Sequence, residues 1–136
     1  MDAAALNAFL AREFAPVAKE LTVLEADLTG LRLALEVGPQ HLRPGGTVSG
    51  PSLFGLADIA VYLAILSRIG PRALAVTVNC SIDFMRKPAA GVGLVAHAKL
   101  LKLGRVLAVG DVLIYAQGLG APVARASMTY SLPQGE

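Results

Sequence analysis

Apolar positions along the chain recur with two different periods, and the points where one period gives way to the other divide it into elements. Leu6, Phe9, Leu10 and Phe14 stand at helical spacing behind Asp2, a good helix cap, which predicts a short helix from about Ala3 to Phe14, closed by Pro16. Two short runs follow, ELTVLEAD and LRLALEV, around Leu28-Thr29-Gly30. In the second, Leu31, Leu33, Leu35 and Val37 alternate with Arg32, Ala34 and Glu36, which predicts a hairpin. GPQHLRPGG is dense in glycine and proline and must be a loop. Beyond it, TVSGPSLFGLADIAVYLAIL is apolar nearly all round. Ser49 or Gly50 can cap it, Pro51 suits a first turn and Gly70-Pro71 ends it, giving a helix of about 17 residues and about 25 Å.

After Pro71 the period changes to two. ALAVTVNCSIDFMR puts Leu74, Val76, Val78, Cys80, Ile82 and Phe84 on one face, and Thr77, Asn79, Ser81 and Asp83 on the other. Three further strands are predicted at about Val92 to Lys102, Arg105 to Gln117 and Pro122 to Leu132. The short turns between them, at Leu103-Gly104 and Gly118 to Ala121, make neighbours antiparallel. A sheet with one apolar face and a helix too apolar to be left uncovered satisfy each other. The predicted class is therefore α+β, an antiparallel sheet wrapped around one long central helix, with a short helix at the N-terminus. No repeat or low-complexity linker interrupts it, and 136 residues suit a single domain over 1–136.

Composition adds an expectation about assembly. At 54% hydrophobic and 16% charged, the chain has apolar surface for another subunit to cover, so an oligomer is expected. The run from Leu53 to Leu66 is shorter than the roughly 20 uncharged residues of a spanning helix and carries Gly55 and Asp58, so it reads as the core helix of a soluble protein, not a membrane segment. MDAAALNAFLAREF has acids at Asp2 and Glu13 and no basic lead into an apolar core, unlike a secretory signal. With Cys80 the sole cysteine, no intramolecular disulfide forms and the cytoplasm is the expected compartment. A net charge of +2 does not point to nucleic acid. Yet Arg86, Lys87, Lys99, Lys102 and Arg105 fall between Phe84 and Gly110 with no acid among them. This stretch is open to two readings, a strand edge protected by lysines or a local site for phosphates.

No GxGxxG, P-loop, GxSxG elbow or zinc-spaced Cys/His cluster is present, so neither cofactor nor metal is expected. His41 in its loop and His97 in a strand lack ligand-spaced partners and read as ordinary polar residues. Cys80 falls on an apolar face without an activating base and reads as a small hydrophobe. Asp58 is different, because desolvating a carboxylate is costly unless it is paired, and no Lys or Arg lies within one helical turn of it. Either a neighbouring strand donates to it and it is a satisfied core acid, or it faces a cleft as general base or nucleophile.

PGGTVSGPSLFGLADIAVYLAI, AVTVNCSIDFMRKPAAG, KLLKLGRVLAVGDVLIY and GAPVARASMTYSL follow in order, without large gaps, over about residues 41 to 132. Together they resemble the PaaI-like branch of the hotdog-fold acyl-CoA thioesterases, which carry a GxxHGG turn, a helix with LAD, a strand ending xFLRPA and a GR turn. The resemblance implies the hotdog fold, which agrees with the outline above. It implies that Asp58 is the catalytic carboxylate and that the backbone N–H of Gly50 polarises the thioester carbonyl, as a helix start is suited to do. It places Thr77 where relatives use a hydroxyl to position water, reached across a dimer interface, so that Asp58 of one chain works beside Thr77 of its partner. Arg86, Lys87, Lys102 and Arg105 become candidates for the coenzyme A phosphates, and the apolar helix face would line the acyl end. Where relatives read HGG this chain has Ser49-Gly50-Pro51, with Ser49 in the histidine's place. Arg43 stands near an asparagine or aspartate of some relatives, and His41 is a spatial substitute for the missing histidine. The implied protein is a homo-oligomer, a dimer as the active unit and a tetramer beyond it, hydrolysing an aryl- or medium-chain acyl-CoA without a cofactor. The alternative is a hotdog protein that binds acyl-CoA or a fatty acyl ligand without turnover. A dehydratase is a poorer match, because no His and acid pair stands at the helix start.

Overall fold

Asp2 starts the first helix, its carboxylate accepting the Ala5 N–H at 2.9 Å. In the computed structural model, which describes residues 1–71 and 75–134, this is α1 (Ala3–Glu13). Pro16 does not simply close it. It sits in the first turn of a second, four-residue helix, α2 (Ala15–Ala18), where a missing N–H costs nothing. The remaining elements are β1 (Leu21–Asp27), β2 (Gly30–Leu35), a 3-10 turn (Pro39–His41), α3 (Gly50–Ile69), β3 (Val76–Phe84), β4 (Leu94–Leu103), β5 (Leu107–Ala116) and β6 (Ala124–Ser131).

The six strands form one antiparallel sheet in the order β1-β2-β4-β5-β6-β3. Its concave face is closed by α3, the arrangement expected of a hotdog fold. At 20 residues α3 exceeds the predicted length; Ser49 caps it and Gly70, at φ 91°, ends it, as expected, and the helix fills the whole interval between them. By length and composition it would cross a membrane, but here it packs chiefly on β4 and β5. Small side chains make the close approach possible. Ala57, Ala60 and Ala64 form a stripe on the helix, facing a sheet whose buried positions include Ala96, Ala98, Ala108 and Ala126. Leu53, Leu56, Leu63, Ile65 and Leu66 fill the space to either side.

The two edges of the sheet differ. On β1, the Asn7 side chain clasps Val23, donating to its carbonyl at 3.0 Å and accepting its N–H at 2.8 Å. On β3 no such cover exists among the described residues, and Val76, Val78 and Phe84 are each more than half exposed. The period-two reading of this strand is broken by a bulge, since the register with β6 slips between Thr77 and Asn79. One extra residue turns Thr77 inward on the same face as Cys80 and Ile82, and leaves Val76 and Val78 facing solvent. Leu74, expected on that inner face, lies outside the described residues.

At Gly110, β5 comes close against α3. A Cβ there would lie 3.0 and 3.2 Å from the two Val61 methyl groups. Gly110→Ala is expected to lower stability by about 1–3 kcal/mol, seen as a shift of the denaturation midpoint, and Val61→Ala in the same chain should recover part of the loss.

Candidate active site

The lone charge of α3 lies on the side of the helix that faces the junction of β3 and β6. Asp58 is half-buried there, with no cation near it among the described residues. Neutral hydroxyls take the place of one: Thr77 Oγ1 donates to Asp58 Oδ1 at 2.5 Å and Tyr130 Oη donates to it at 2.7 Å. Thr77 and Tyr130 are cross-strand partners on β3 and β6, so the sheet register sets their spacing. The hydroxyl on Thr77 therefore meets Asp58 of its own chain, which corrects the expectation that the pair forms across a subunit boundary. The bulge is the physical reason, because it turns Thr77 towards its own helix.

Tyr130 was not singled out from the sequence. The available signal is a tyrosine continuing the inward series Ala124, Ala126, Met128 on the last strand, where a buried phenol needs a polar partner. Its burial and its bond to the Asp58 carboxylate push the phenol well above the usual tyrosine range, so it remains a donor. Burial, and then the charge of Asp58, also raise the Cys80 thiol, which keeps it protonated and in the packing role expected for it.

At the start of α3, the Ser49 hydroxyl accepts the Ser52 N–H at 3.3 Å and donates to Ser52 Oγ at 2.9 Å. Ser49 is thus a helix cap. The Gly50 N–H has no acceptor among the described residues, and a Cβ on Gly50 would lie 3.2 Å from the Phe84 ring. An unpaired N–H at the start of a long helix is suited to a developing oxyanion. Gly50 and Asp58 are eight residues apart on α3, about 12 Å along its axis, too far to act on one carbonyl within a single chain.

His41 does not stand in for a catalytic histidine. Its ring is buried, Nδ1 accepts the Gly38 N–H at 2.8 Å, and Nε2 lies 3.0 Å from Glu20 Oε2. These bonds fix the tautomer with hydrogen on Nε2. Its carbonyl accepts the Ser49 N–H at 2.8 Å, tying the loop to the cap of α3. Burial acts to raise the Glu20 carboxyl, but hydrogen bonds from Gln40 and His41 outweigh it and hold the group below its usual value. Arg43 is exposed in the following turn.

The four basic candidates divide into two pairs. Arg86 and Lys87 follow the end of β3 that is level with Ala124 of β6, beside the Pro88 carbonyl that accepts the Val48 N–H just ahead of α3. Lys102 and Arg105 flank the β4–β5 turn, level with Ser131 at the opposite end of β6. The seven residue steps from one end to the other span about 23 Å, so one chain does not gather the four. Arg86 donates to the Pro122 carbonyl at 2.6 Å and Arg105 to Gln134 at 3.3 Å. A broad hollow of about 730 Å³ lies on the opposite face of the sheet, among ion pairs such as Arg125 with Asp83, and does not reach Asp58. His97 is part of that face, where burial and Arg32 lower its titration. No three His, Cys, Asp or Glu side chains come together as a metal site among the described residues.

A family model described as the thioesterase superfamily matches residues 45–123. A solved structure from Silicibacter sp. TM1040, provisionally named a thioesterase, is 50% identical, with 98% of this chain and 92% of that one covered and a TM-score of 0.91. A mutant of the phenylacetic acid degradation protein PaaI from Thermus thermophilus is 34% identical over 83% of this chain and 93% of its own, with a TM-score of 0.72. A Streptococcus mutans UA159 protein, solved bound to acetyl-CoA, is 25% identical over 83% and 88% of the two chains, with a TM-score of 0.74.

The Glu20–His41 clamp yields a prediction with a defined pH window. A carboxyl whose folded value is depressed stabilises fully above its unfolded value, about 4.5 here, and the contribution is lost as pH falls through the lower folded value. Glu20→Gln should therefore cost about 1 kcal/mol at pH 7. In thermal melts at a series of pH values, its difference from wild type should close only below pH 4.5.

Proposed function

Because the chain belongs to the thioesterase superfamily, we propose that it hydrolyses the thioester bond of a small aryl- or medium-chain acyl-CoA, with Asp58 as its base or nucleophile. The observation that carries this reading is a carboxylate held in an apolar helix by hydroxyls alone. A cation partner would spend its charge on structure, whereas hydroxyl donors leave it able to take a proton. In the general-base form, the water oxygen bonds to the thioester carbonyl carbon as Asp58 accepts the water's proton. The carbonyl oxygen gains the negative charge, which an N–H at the start of α3 stabilises. Collapse of this intermediate breaks the C–S bond, and the departing thiolate recovers the proton from Asp58. The acetyl-CoA bound to the Streptococcus mutans relative supports a CoA thioester as the ligand class.

The distance between Gly50 and Asp58 supports a homodimer as the active unit. If two open β3 edges pair antiparallel about a two-fold axis, the Phe84 end of one strand lies beside the Val76 end of the other. Gly50, which neighbours Phe84, then approaches the Asp58 that its partner subunit holds through Thr77. The same pairing brings Arg86 and Lys87 of one chain to the end of the sheet where the other carries Lys102 and Arg105. Two half-sets of cations become one cluster for the CoA phosphates. Exposed Val76, Val78, Phe84 and Met85 supply the apolar surface of the contact.

Thiol release from a panel of acyl-CoA thioesters tests the activity. Wild type should turn over at least one member, and Asp58→Ala should lose at least about a hundredfold in kcat while keeping its melting temperature. Ligand-induced stabilisation without thiol release from any member would instead identify a binding protein. The shared site has its own test: Gly50→Pro removes the amide hydrogen and should be inactive alone. Co-expressed with Asp58→Ala, it should restore roughly a quarter of wild-type activity, the statistical yield of one intact site per mixed dimer. No restoration would show that the two groups do not serve one site across a dimer.

A further inference from the structure

We propose that Tyr130 is a positioning residue which, with Thr77, commits one oxygen of Asp58 to the sheet and reserves the other, Oδ2, as the atom that reacts. The inference rests on the thioesterase reading for the identity of the reaction, while its geometry stands on the chain itself. Both hydroxyls end on the same atom: Thr77 Oγ1 at 2.5 Å and Tyr130 Oη at 2.7 Å from Oδ1. No hydrogen bond reaches Oδ2 among the described residues. The phenol also lies 2.9 Å from the Asp58 carbonyl oxygen, so it registers against the helix backbone as well as the side chain.

A carboxylate turns about its terminal torsion with near two-fold symmetry, so one donor holds either oxygen equally well. Two donors fixed at cross-strand spacing leave that half-turn degenerate but remove the angles between, so the carboxylate plane is held and whichever oxygen is unbonded faces the same way. Tyr130 suits the task because it is itself immobilised. It is 3% exposed, and its ring packs 6.1 Å from Tyr62, which lies 6.2 Å from Phe9 and 5.7 Å from Phe14. This aromatic row fills the interior behind Asp58, so the carboxylate has no room to retreat from the β3 edge. A base restricted to one oxygen and one direction lowers the cost of aligning water with the carbonyl.

The test is a double-mutant cycle on thiol release with Tyr130→Phe, Thr77→Val and the pair. Each single variant retains one donor and is expected to lose about threefold to tenfold in kcat. The pair should lose about a thousandfold, more than the product of the singles, with KM within about twofold and a melting temperature that does not track the loss. Losses that merely multiply, that appear in KM, or that follow the melting temperature would overturn the proposal. A wild-type protein without turnover would remove the thioesterase reading alone. The positioning role is then read from the carbon-13 carboxyl resonance of Asp58, identified by its disappearance in Asp58→Asn. That resonance should shift in Tyr130→Phe and further in the pair, and an unmoved resonance would overturn the proposal independently of activity.

Discussion

A helix that is apolar on nearly every side must be enclosed, and the enclosure of α3 determines most of what surrounds it. Burial of ten of its residues, from Leu53 to Leu66, is the main favourable term available to the chain. Strands β2, β4, β5 and β6 supply the wall. Because the wall must curve closely around a cylinder, its inner positions are small where the helix comes nearest. Alanines on both partners, with Gly110 against Val61, express this in the sequence.

Enclosure also dictates where chemistry can occur. Against most of the wall an ionised side chain would meet only methyl groups. At β3, the last strand of the sheet and an open edge, cover is incomplete, and Asp58 is turned to that side. There the sheet supplies two hydroxyls from adjacent strands, enough to satisfy the carboxylate without neutralising it. The start of the helix likewise keeps a donor unpaired among the described residues, because the capping serine serves Ser52 and not Gly50. The middle and the start of α3 thus each keep a polar group unpaired among the described residues, and for the same topological reason, since both open towards one uncovered strand.

Much of this was legible in residue patterns. The change from helical to two-residue period after Pro71 marked the passage from α3 to the strands. The isolation of one carboxylate in an apolar run singles out Asp58. What could not be read were relations that depend on strand order. β3 lies beside β6, at the far side of the sheet from β1 and β2, and nothing in the alternation of either strand says so. Tyr130 therefore had no visible partner, and the face of Thr77 was assigned wrongly because one extra residue at a bulge inverts a period-two count. The basic stretch divides within one chain. Residues close in sequence are separated in space, because a ten-residue strand carries Lys102 and Arg105 to the far end of the sheet from Arg86 and Lys87.

The clasp of Asn7 on Val23 bears on how many copies can join. A sheet with two exposed edges is a link that propagates, each added copy presenting a fresh edge to the next, and fibres grow in this way. Here the amide of Asn7 occupies the outward N–H and carbonyl of Val23, and the first strand has no free rung to offer at its centre. If copies join through the proposed β3 edge, that edge is consumed on both and only clasped strands are left outside. Growth by strand addition would then terminate after one step, with a side chain in the first helix as the stop signal for the sheet.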